Sequence, residues 1–276
     1  MIIDGKKLAE EYENQILEQI KKNNYDITLA VVLVGTNPAS QIYVKNKQKA
    51  CERVGINSIS VELEEDISQI ELEKEIDKLI ENKDIHGILV QLPLPKHLNE
   101  KQIIEKLPYY KDVDGLTEYN MGKLFYGNPV IVPCTPLGVV NLIKTVKTDL
   151  SGLDAVVVGR SNLVGKPAGF MLLNEDCSVT ILHSKSKNIK DKVKLADIVV
   201  CAVGKERLFD LQDFKSGAIV IDVGINKNSQ GKLCGDVEKG EREDIFITPV
   251  PKGVGPMTIA MLMHNTLKCF KIQKGI

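Results

Sequence analysis

The sequence contains no tryptophan, its aromatic residues amount to 5 %, and its formal net charge over 276 residues is -1. Such a balanced charge gives no electrostatic reason to expect binding to nucleic acid or to an anionic membrane. No apolar run approaches the roughly 18 residues that a membrane-spanning helix needs. Charges begin at Asp4 and no apolar stretch follows, which is not typical of a secretory signal peptide. We therefore expect no nucleic acid and no membrane among the partners.

The cysteines show no spacing typical of a metal site or a redox pair. The sequence has no C-x-x-C motif, and its six cysteines are scattered at positions 51, 134, 177, 201, 234 and 269. Cys51 and Cys269 lie in helical patterns, and Cys201 lies in an apolar run. This usage indicates reduced thiols, so we expect a cytoplasmic protein without a metal site.

The sequence does contain a regular alternation of apolar runs with amphipathic segments. Short apolar runs that end at glycine or polar residues are typical of strands in a parallel sheet. We predict such strands at 29–34, 59–63, 88–92, 155–158, 179–182, 198–203, 218–223 and 245–248. Residues suited to start a helix stand before the intervening segments, at Asp4, Pro38, Ser68 and Asn99.

This order predicts an α/β protein with two domains, each a mostly parallel sheet with flanking helices. The C-terminal half is expected to be Rossmann-like and doubly wound. We predict one domain at 1–133, joined by a final helix at about 256–276, and a second at 134–255. The segment 108–133 breaks the rhythm with glycine, proline, tyrosine and aspartate, and we place the inter-domain region there.

The stretch 154–169 reads as a strand, a glycine turn and the start of a helix. Main-chain N–H groups at a helix N-terminus, together with the helix dipole, can hold an anion. Gly159 ends the strand, and Arg160 and Ser161 follow where a phosphate-bearing ligand would lie. The match to G-x-G-x-x-G is incomplete, because Arg160 replaces the second glycine and Gly165 comes six residues after Gly159. A purely structural turn is the alternative.

The next predicted strand sharpens this interpretation. A site for NAD would carry Asp or Glu at its end, to bind the ribose hydroxyls. Here the strand is followed by His183, Ser184, Lys185 and Ser186, so hydroxyls and cations replace the carboxylate. Ser184 and Lys185, with Arg160, could bind a 2′-phosphate, which favours NADP over NAD. An ordinary polar loop is the alternative.

Three residues suggest a function: Tyr43 and Lys47 as an acid/base pair, and Gln91 as a ligand contact. Tyr43 and Lys47 are four residues apart on a predicted helix and so share one face. Gln91 comes at the carboxyl end of a predicted strand, where ligands of open parallel sheets gather. Each could equally be an ordinary surface residue.

Two further segments suggest binding. Asp112-Val-Asp114-Gly115 offers carboxylates that suit a planar group with two parallel N–H donors, such as a guanidine or a pterin edge, although a turn aspartate is the commoner case. The segment 248–258 has three prolines and two glycines between a strand and a helix. Such a stiff loop in that place favours binding over a linker.

Together these motifs identify the chain as resembling the bifunctional methylenetetrahydrofolate dehydrogenase/methenyltetrahydrofolate cyclohydrolases, the FolD family. The resemblance spans essentially the whole length. It rests on five motifs in order, at 43–50, 90–95, 112–115, 159–167 and 248–258. One departure is that Lys252 stands where the family usually has glycine, which bears on the shape of that loop.

The resemblance implies a homodimer that uses folate one-carbon units and NADP, with a cleft between folate-binding and NADP-binding halves. It implies that Lys47, Tyr43 and Gln91 are catalytic. The substrate-binding residues would be Ser40, Asp114, Pro251 and Gly255. The cofactor-binding residues would be Gly159, Arg160, Ser161, Ser184 and Ile225. Alternatives are another two-domain NADP dehydrogenase, of the shikimate or amino-acid type, and a non-catalytic module that senses NADP.

Overall fold

The computed structural model describes residues 1–276, apart from the side chain of Ala39. Backbone contacts divide the chain into two compact units. We call Glu11–Val132 with Ile259–Ile276 the N-terminal unit, and Met1–Glu10 with Pro133–Thr258 the C-terminal unit. Each is described by itself.

The N-terminal unit contains a three-stranded parallel sheet in the order β2-β1-β3. The central strand β1 is buried along almost its whole length because its residues are nearly all apolar. The elements, in chain order, are α1 (Gly5–Asn23, which begins in the other unit), β1 (Thr28–Val34), α2 (Pro38–Val54), β2 (Asn57–Leu63), α3 (Gln69–Glu81), β3 (Gly87–Val90), α4 (Glu100–Lys106) and α5 (Glu118–Phe125).

The helix starts predicted from the sequence are confirmed by their hydrogen bonds. The Asp4 Oδ1 atom accepts from the main-chain N–H of Lys7 at 3.0 Å, at the start of α1. Ser68 begins α3 with a complete capping box, and Asn99 Oδ1 accepts from the N–H of Gln102 at the start of α4. In each case a short polar side chain satisfies a donor that the helix itself cannot pair.

Two details of this unit differ from the prediction. The strand predicted at 88–92 ends at Val90, although the N–H of Gln91 still donates to the carbonyl of Val32 at 2.9 Å. The segment 108–132, expected as an inter-domain region, instead belongs to this unit and contains the unpredicted helix α5. Thr117 caps α5, and its eight residues are too few to show a clear helical period.

The C-terminal unit contains a five-stranded parallel sheet in the order β10-β7-β6-β4-β5. Its elements, in chain order, are α6 (Cys134–Lys144), β4 (Asp154–Val158), α7 (Gly165–Leu173), β5 (Ser178–Leu182), α8 (Ile189–Val193), β6 (Ile198–Cys201), β7 (Ile219–Asp222), the hairpin of β8 (Asn226–Lys227) and β9 (Leu233–Cys234), β10 (Phe246–Ile247) and α9 (Val254–Lys274, which continues into the other unit).

The strand order changes direction at β4, because β5 lies on one side of it and β6 on the other. In open parallel sheets, ligands bind beyond the carboxyl ends of the strands at such a point. The doubly wound form predicted for this half is therefore confirmed, and its switch point lies at the residues that follow β4 and β6.

The first residues of the chain pack with this unit rather than with the N-terminal unit. The N–H of Ile3 donates to the carbonyl of Ile247 at 2.9 Å, and the N–H of Ile247 donates to the carbonyl of Met1 at 3.0 Å. These bonds extend the sheet beside β10, which a prediction from sequence order alone could not anticipate. Within the described residues, no helix is long and apolar enough to cross a membrane.

The backbone at Lys252 is strained, since its φ is +84°. A side chain in this region costs about 1–2 kcal/mol relative to ordinary backbone. Replacing Lys252 with glycine should therefore stabilise the C-terminal unit by up to about 1 kcal/mol, because the greater freedom of glycine in the unfolded chain offsets part of the gain. The melting temperature should rise by up to about 2–4 °C, measured by thermal unfolding. Lys239→Gly, at a loop position without positive φ, is the control and should not raise it.

Candidate functional site

Two side chains from distant parts of the sequence meet in the N-terminal unit. The Nζ atom of Lys47, on α2, donates to Oε1 of Gln91 at 2.9 Å. The Nε2 atom of Gln91 in turn donates to the carbonyl of Leu92 at 2.7 Å. Because this second bond fixes which end of the amide is which, the oxygen of Gln91 faces the amine of Lys47. The structure thus joins two of the three predicted catalytic residues in one hydrogen-bonded chain.

The position of Lys47 on α2 explains why its side chain is half-buried. Lys47 lies three residues after Val44 and four before Cys51, and both of these are buried. Residues at these spacings share one face of a helix, so Lys47 projects from the packed face of α2. An amine on that face is held against the protein instead of moving freely in water.

Ser40 and Tyr43 continue this stripe toward the start of α2, at seven and four residues before Lys47. Ser40 is buried, and its N–H donates to Oδ1 of Asn37 at 3.3 Å. Tyr43 is 42 % exposed, so its ring is open to a ligand while its backbone is held in the helix. Three predicted site residues therefore lie along one side of α2.

The two aspartates of the predicted acidic turn have different surroundings. Asp112 is buried, and its Oδ2 accepts from the N–H of Thr117 and from Nδ2 of Asn120, both at 2.9 Å. It therefore holds the start of α5. Asp114 is half-buried. The residue between them is anchored, since Nδ2 of Asn265 donates to the carbonyl of Val113 at 2.8 Å. The backbone of the turn that carries Asp114 is thus fixed.

In the C-terminal unit, glycine allows three backbone segments to approach closely after β4. Gly159 has φ +136°, and a Cβ atom there would collide with the carbonyl of Ala202, which follows β6. A Cβ atom on Gly165, the first residue of α7, would collide with the carbonyl of Gly159. The turn after β4 thus lies directly against the start of α7 at the switch point of the sheet.

The predicted phosphate-binding residues lie at this same edge. The register pairs Val158 with Leu182, and the N–H of Gly159 donates to the carbonyl of Leu182 at 2.8 Å. Arg160 and Ser184 therefore follow neighbouring strands, and both are exposed. Ser161 has a structural task as well, because its Oγ accepts from the N–H groups of Val164 and Gly165 at the start of α7.

Three other predicted residues also belong to the C-terminal unit. Ile225 follows β7 and is 54 % exposed. Pro251 lies exposed in the loop before α9, and Gly255 lies exposed in the first turn of α9. A Cβ atom on Gly255 would have no described atom within 4 Å. These positions are open to a ligand.

Two buried aspartates in this unit, Asp222 and Asp236, were not predicted as site residues from the sequence. Burial raises the pKa of Asp222 to about 6, and the neighbouring charge of Asp236 adds to this effect. Asp222 ends an apolar strand two residues before Gly224, and Asp236 follows Gly235. The sequence signal that could have identified them is an aspartate that lies close to a glycine, in the case of Asp222 also at the end of an apolar run. Among the described residues, no cluster of three or more His, Cys, Asp or Glu side chains is suited to a metal ion.

Comparison with known proteins gives two family matches. Residues 3–114 match the catalytic domain of tetrahydrofolate dehydrogenase/cyclohydrolase, and residues 133–274 match its NAD(P)-binding domain. A curated relative, the bifunctional protein FolD of Bacillus cytotoxicus, is 51 % identical over 276 residues, covering 98 % of this chain and 96 % of the relative. The chain belongs to the tetrahydrofolate dehydrogenase/cyclohydrolase family.

Solved structures of this family have the same fold. The bifunctional enzyme FolD from Campylobacter jejuni aligns with a TM-score of 0.95 at 45 % identity, covering 99 % of both chains. FolD from Trypanosoma brucei, complexed with NADP cofactor and inhibitor, aligns with a TM-score of 0.94 at 37 % identity, covering 100 % of this chain and 99 % of that one.

These matches confirm the family that the five motifs predicted. They also confirm the predicted dehydrogenase and cyclohydrolase activities and the use of NADP. They favour these activities over the alternatives of a shikimate or amino-acid type dehydrogenase and a non-catalytic sensing module. The individual roles of the site residues stay predictions.

Proposed function

We propose that this chain oxidises 5,10-methylenetetrahydrofolate to 5,10-methenyltetrahydrofolate with NADP and then hydrolyses the product to 10-formyltetrahydrofolate, using Lys47 as the proton carrier. The observation that carries the proposal is the hydrogen bond between Lys47 and Gln91 at 2.9 Å, on the face of α2 that also holds Tyr43. A module that only senses a nucleotide has no use for an amine held in this way.

The residues at the switch point of the C-terminal unit fit NADP. The glycine turn at Gly159 brings main-chain groups close together beside a helix start, as a dinucleotide phosphate requires. Arg160 and Ser184 supply donors for the 2′-phosphate at neighbouring strand ends, and no carboxylate follows β5 to oppose it. When bound, NADP supplies the acceptor for the hydride that leaves the methylene carbon.

In the hydrolysis step, water attacks the methenyl carbon of the cationic substrate. The amine of Lys47 accepts the proton that the water loses as the carbon–oxygen bond forms. This gives an intermediate that carries a hydroxyl on the former methenyl carbon. The protonated Lys47 then returns its proton to the ring nitrogen as the bond from that nitrogen to the carbon breaks. The hydroxyl proton leaves to solvent as the C=O bond forms, so the formyl group remains on the other nitrogen and one proton is released overall. A nearby cation disfavours the protonated form of an amine, so the substrate itself favours Lys47 as the base.

The neighbouring residues position the reactants. Gln91 holds the amine of Lys47 through its amide oxygen, and Tyr43 orients the substrate ring and the amine. Asp114 accepts the paired N–H donors of the pterin edge, because a carboxylate offers two acceptor oxygens. We assign substrate contacts also to Ser40, Pro251 and Gly255.

We further propose that the chain acts as a homodimer in the cytoplasm. The dimer follows from the resemblance to the family, and the location follows from the scattered cysteines, all six of which are buried. Sedimentation equilibrium of the purified protein tests the dimer, since a species of one chain at assay concentrations would contradict it.

The overall activity is tested by mixing purified protein with methylenetetrahydrofolate and NADP. Absorbance of the methenyl product should appear first and then decay faster than its spontaneous hydrolysis. If NADP is reduced but the methenyl product decays no faster than it does spontaneously, the chain is a dehydrogenase without cyclohydrolase activity. If NADP is not reduced, the proposed reaction is contradicted.

Lys47→Met should separate the two activities. Methionine keeps an unbranched stem of similar bulk, so α2 should stay folded. Hydride transfer needs no base and should survive in part, whereas losing a positioned acid/base group typically costs about 10²–10⁴-fold. The methenyl compound should therefore accumulate, as followed by its absorbance after correction for spontaneous hydrolysis. Lys49→Met changes an exposed lysine of the same helix and should behave as wild type. Cyclohydrolase activity near wild type in Lys47→Met would show that another group carries the proton.

Asp114→Asn should weaken folate binding and leave NADP binding unchanged, both measured by titration. Asparagine presents an amino group where the pterin edge needs a second acceptor. Asp112→Ala is the contrasting variant, because it leaves the buried donors of Thr117 and Asn120 without their acceptor and should cost about 1–3 kcal/mol of stability. Unchanged folate affinity in Asp114→Asn would make Asp114 an ordinary turn residue.

Arg160→Ala should weaken the binding of NADP and spare that of NAD. The substitution removes a cation from the 2′-phosphate and leaves the parts common to both cofactors untouched. The loss of a charge-assisted contact costs roughly 1.5–3 kcal/mol, or about 10–100-fold in affinity. Both affinities are measured by titration of the variant, and the affinity for NAD serves as the control. An equal loss for NADP and NAD would assign Arg160 another role.

A further inference from the structure

Two buried carboxylates connect the loops at the carboxyl edge of the sheet in the C-terminal unit. Asp222 is 4 % exposed and Asp236 is fully buried. Asp222 is the last residue of β7, and Asp236 follows the β8–β9 hairpin, which brings the chain back toward the end of β7. Neither residue has a part in the reaction described above.

Asp222 fixes the turn after β7. Its Oδ1 accepts from the N–H groups of Gly224 at 3.0 Å and Asp236 at 2.9 Å, and its Oδ2 accepts from the N–H of Val237 at 2.9 Å. Its own N–H donates to Oγ1 of Thr248 at 2.8 Å. These bonds tie the residues on both sides of the hairpin to the end of β7, and Ile225 directly follows one of the tied residues.

Asp236 fixes the loop after β6. Its Oδ2 accepts from the N–H groups of Val203 at 2.7 Å and Gly204 at 3.2 Å, and its Oδ1 accepts from the N–H of Lys205 at 2.8 Å. Three consecutive main-chain N–H groups that converge on one anion form a typical anion-binding concavity. Here a side chain of the protein itself fills it, with Nδ2 of Asn226 as a fourth donor at 3.1 Å.

The packing around both carboxylates is close. A Cβ atom on Gly224 would collide with the carboxylate of Asp236, and one on Gly235 would collide with the carboxylate of Asp222. The seven hydrogen bonds that described residues make to the two carboxylates come from N–H donors. An amide in place of either carboxylate would turn one of its two oxygens into a donor that faces another donor.

We propose that Asp222 and Asp236 are positioning residues for the cofactor, because they hold the loops after β6 and β7 in the shape that the dinucleotide requires. Through Asp236, the main chain at 203–205 is set beside the switch point, and through Asp222 the backbone at Ile225 is set at the neighbouring strand end. This inference rests on the cofactor site proposed above. Both aspartates act through the loops that they hold and not through contact with the cofactor.

The proposal makes a prediction that a merely structural role does not. The dehydrogenase needs NADP, whereas the cyclohydrolase can be assayed from the methenyl compound without it, and its proposed catalytic residues Lys47, Tyr43 and Gln91 lie in the N-terminal unit. Asp236→Asn should raise the KM for NADP by about 10–100-fold, since hydrogen bonds to a charged acceptor are lost, and should lower the dehydrogenase kcat. Cyclohydrolase activity should be unchanged.

The experiment measures both activities, the Kd for NADP by titration and the melting temperature, for wild type and three variants. Glu238→Gln is the matched control, since it neutralises an exposed carboxylate two residues from Asp236 and should leave all four quantities unchanged. Asn226→Ala removes one donor to Asp236 and should act in the same direction as Asp236→Asn, with a smaller change.

Selective loss of NADP affinity and dehydrogenase activity in Asp236→Asn supports the proposal. Wild-type NADP affinity in the folded variant overturns it, and so does a parallel loss of both activities with a lowered melting temperature. If Asp236→Asn does not fold, Asn226→Ala decides, because an unchanged Kd for NADP would then overturn the proposal. The proposed function fails separately, if wild type itself lacks the dehydrogenase reaction although it binds NADP.

Discussion

Main-chain N–H groups beyond the carboxyl ends of parallel strands have no further strand to bond, and when buried each needs another acceptor. In the C-terminal unit side chains of the protein meet this need. Asp236 binds three consecutive N–H groups after β6, Asp222 binds those on either side of the hairpin after β7, and Ser161 binds those that open α7. The loops are thereby held closely together, and Gly224 and Gly235 have no room for a side chain beside the two carboxylates. The shape of the proposed dinucleotide site follows from this pairing of main-chain donors with side-chain acceptors.

In the N-terminal unit, the amine of Lys47 likewise needs a hydrogen-bond partner from the protein. Lys47 projects from the packed face of α2, where an amine loses part of its hydration and needs a defined acceptor. Gln91 supplies that acceptor as a neutral amide oxygen. A carboxylate there would hold the amine firmly in its charged form, because an opposite charge stabilises the proton. The amide of Gln91 positions the amine without adding a charge, which fits the role proposed for Lys47.

Much of the fold could be predicted because its signals are local. The helix caps at Asp4, Ser68 and Asn99 each involve residues three apart, and all three are present. The predictions failed where structure depended on distant partners. Helix α5 is short and held by the buried Asp112, and the first residues of the chain pair with β10 across more than two hundred positions. Nothing in their own sequence marks these contacts.

The features of the candidate site likewise divide into those set by local sequence and those set by contacts between distant residues. The sequence alone determined the glycine turn after β4, the absence of a carboxylate after β5, and the shared helical face of Tyr43 and Lys47, since each depends on neighbouring residues and the period of one element. Only the tertiary structure decided that Gln91, 44 positions away, faces Lys47, that the buried Asp112 holds the start of α5, and that Asp222 and Asp236 join two loops. Spacing along a strand or helix sets which way a side chain points. Its hydrogen-bond partner is set by the packing of elements far apart in the sequence, where each buried donor takes the acceptor that the folded chain brings within reach.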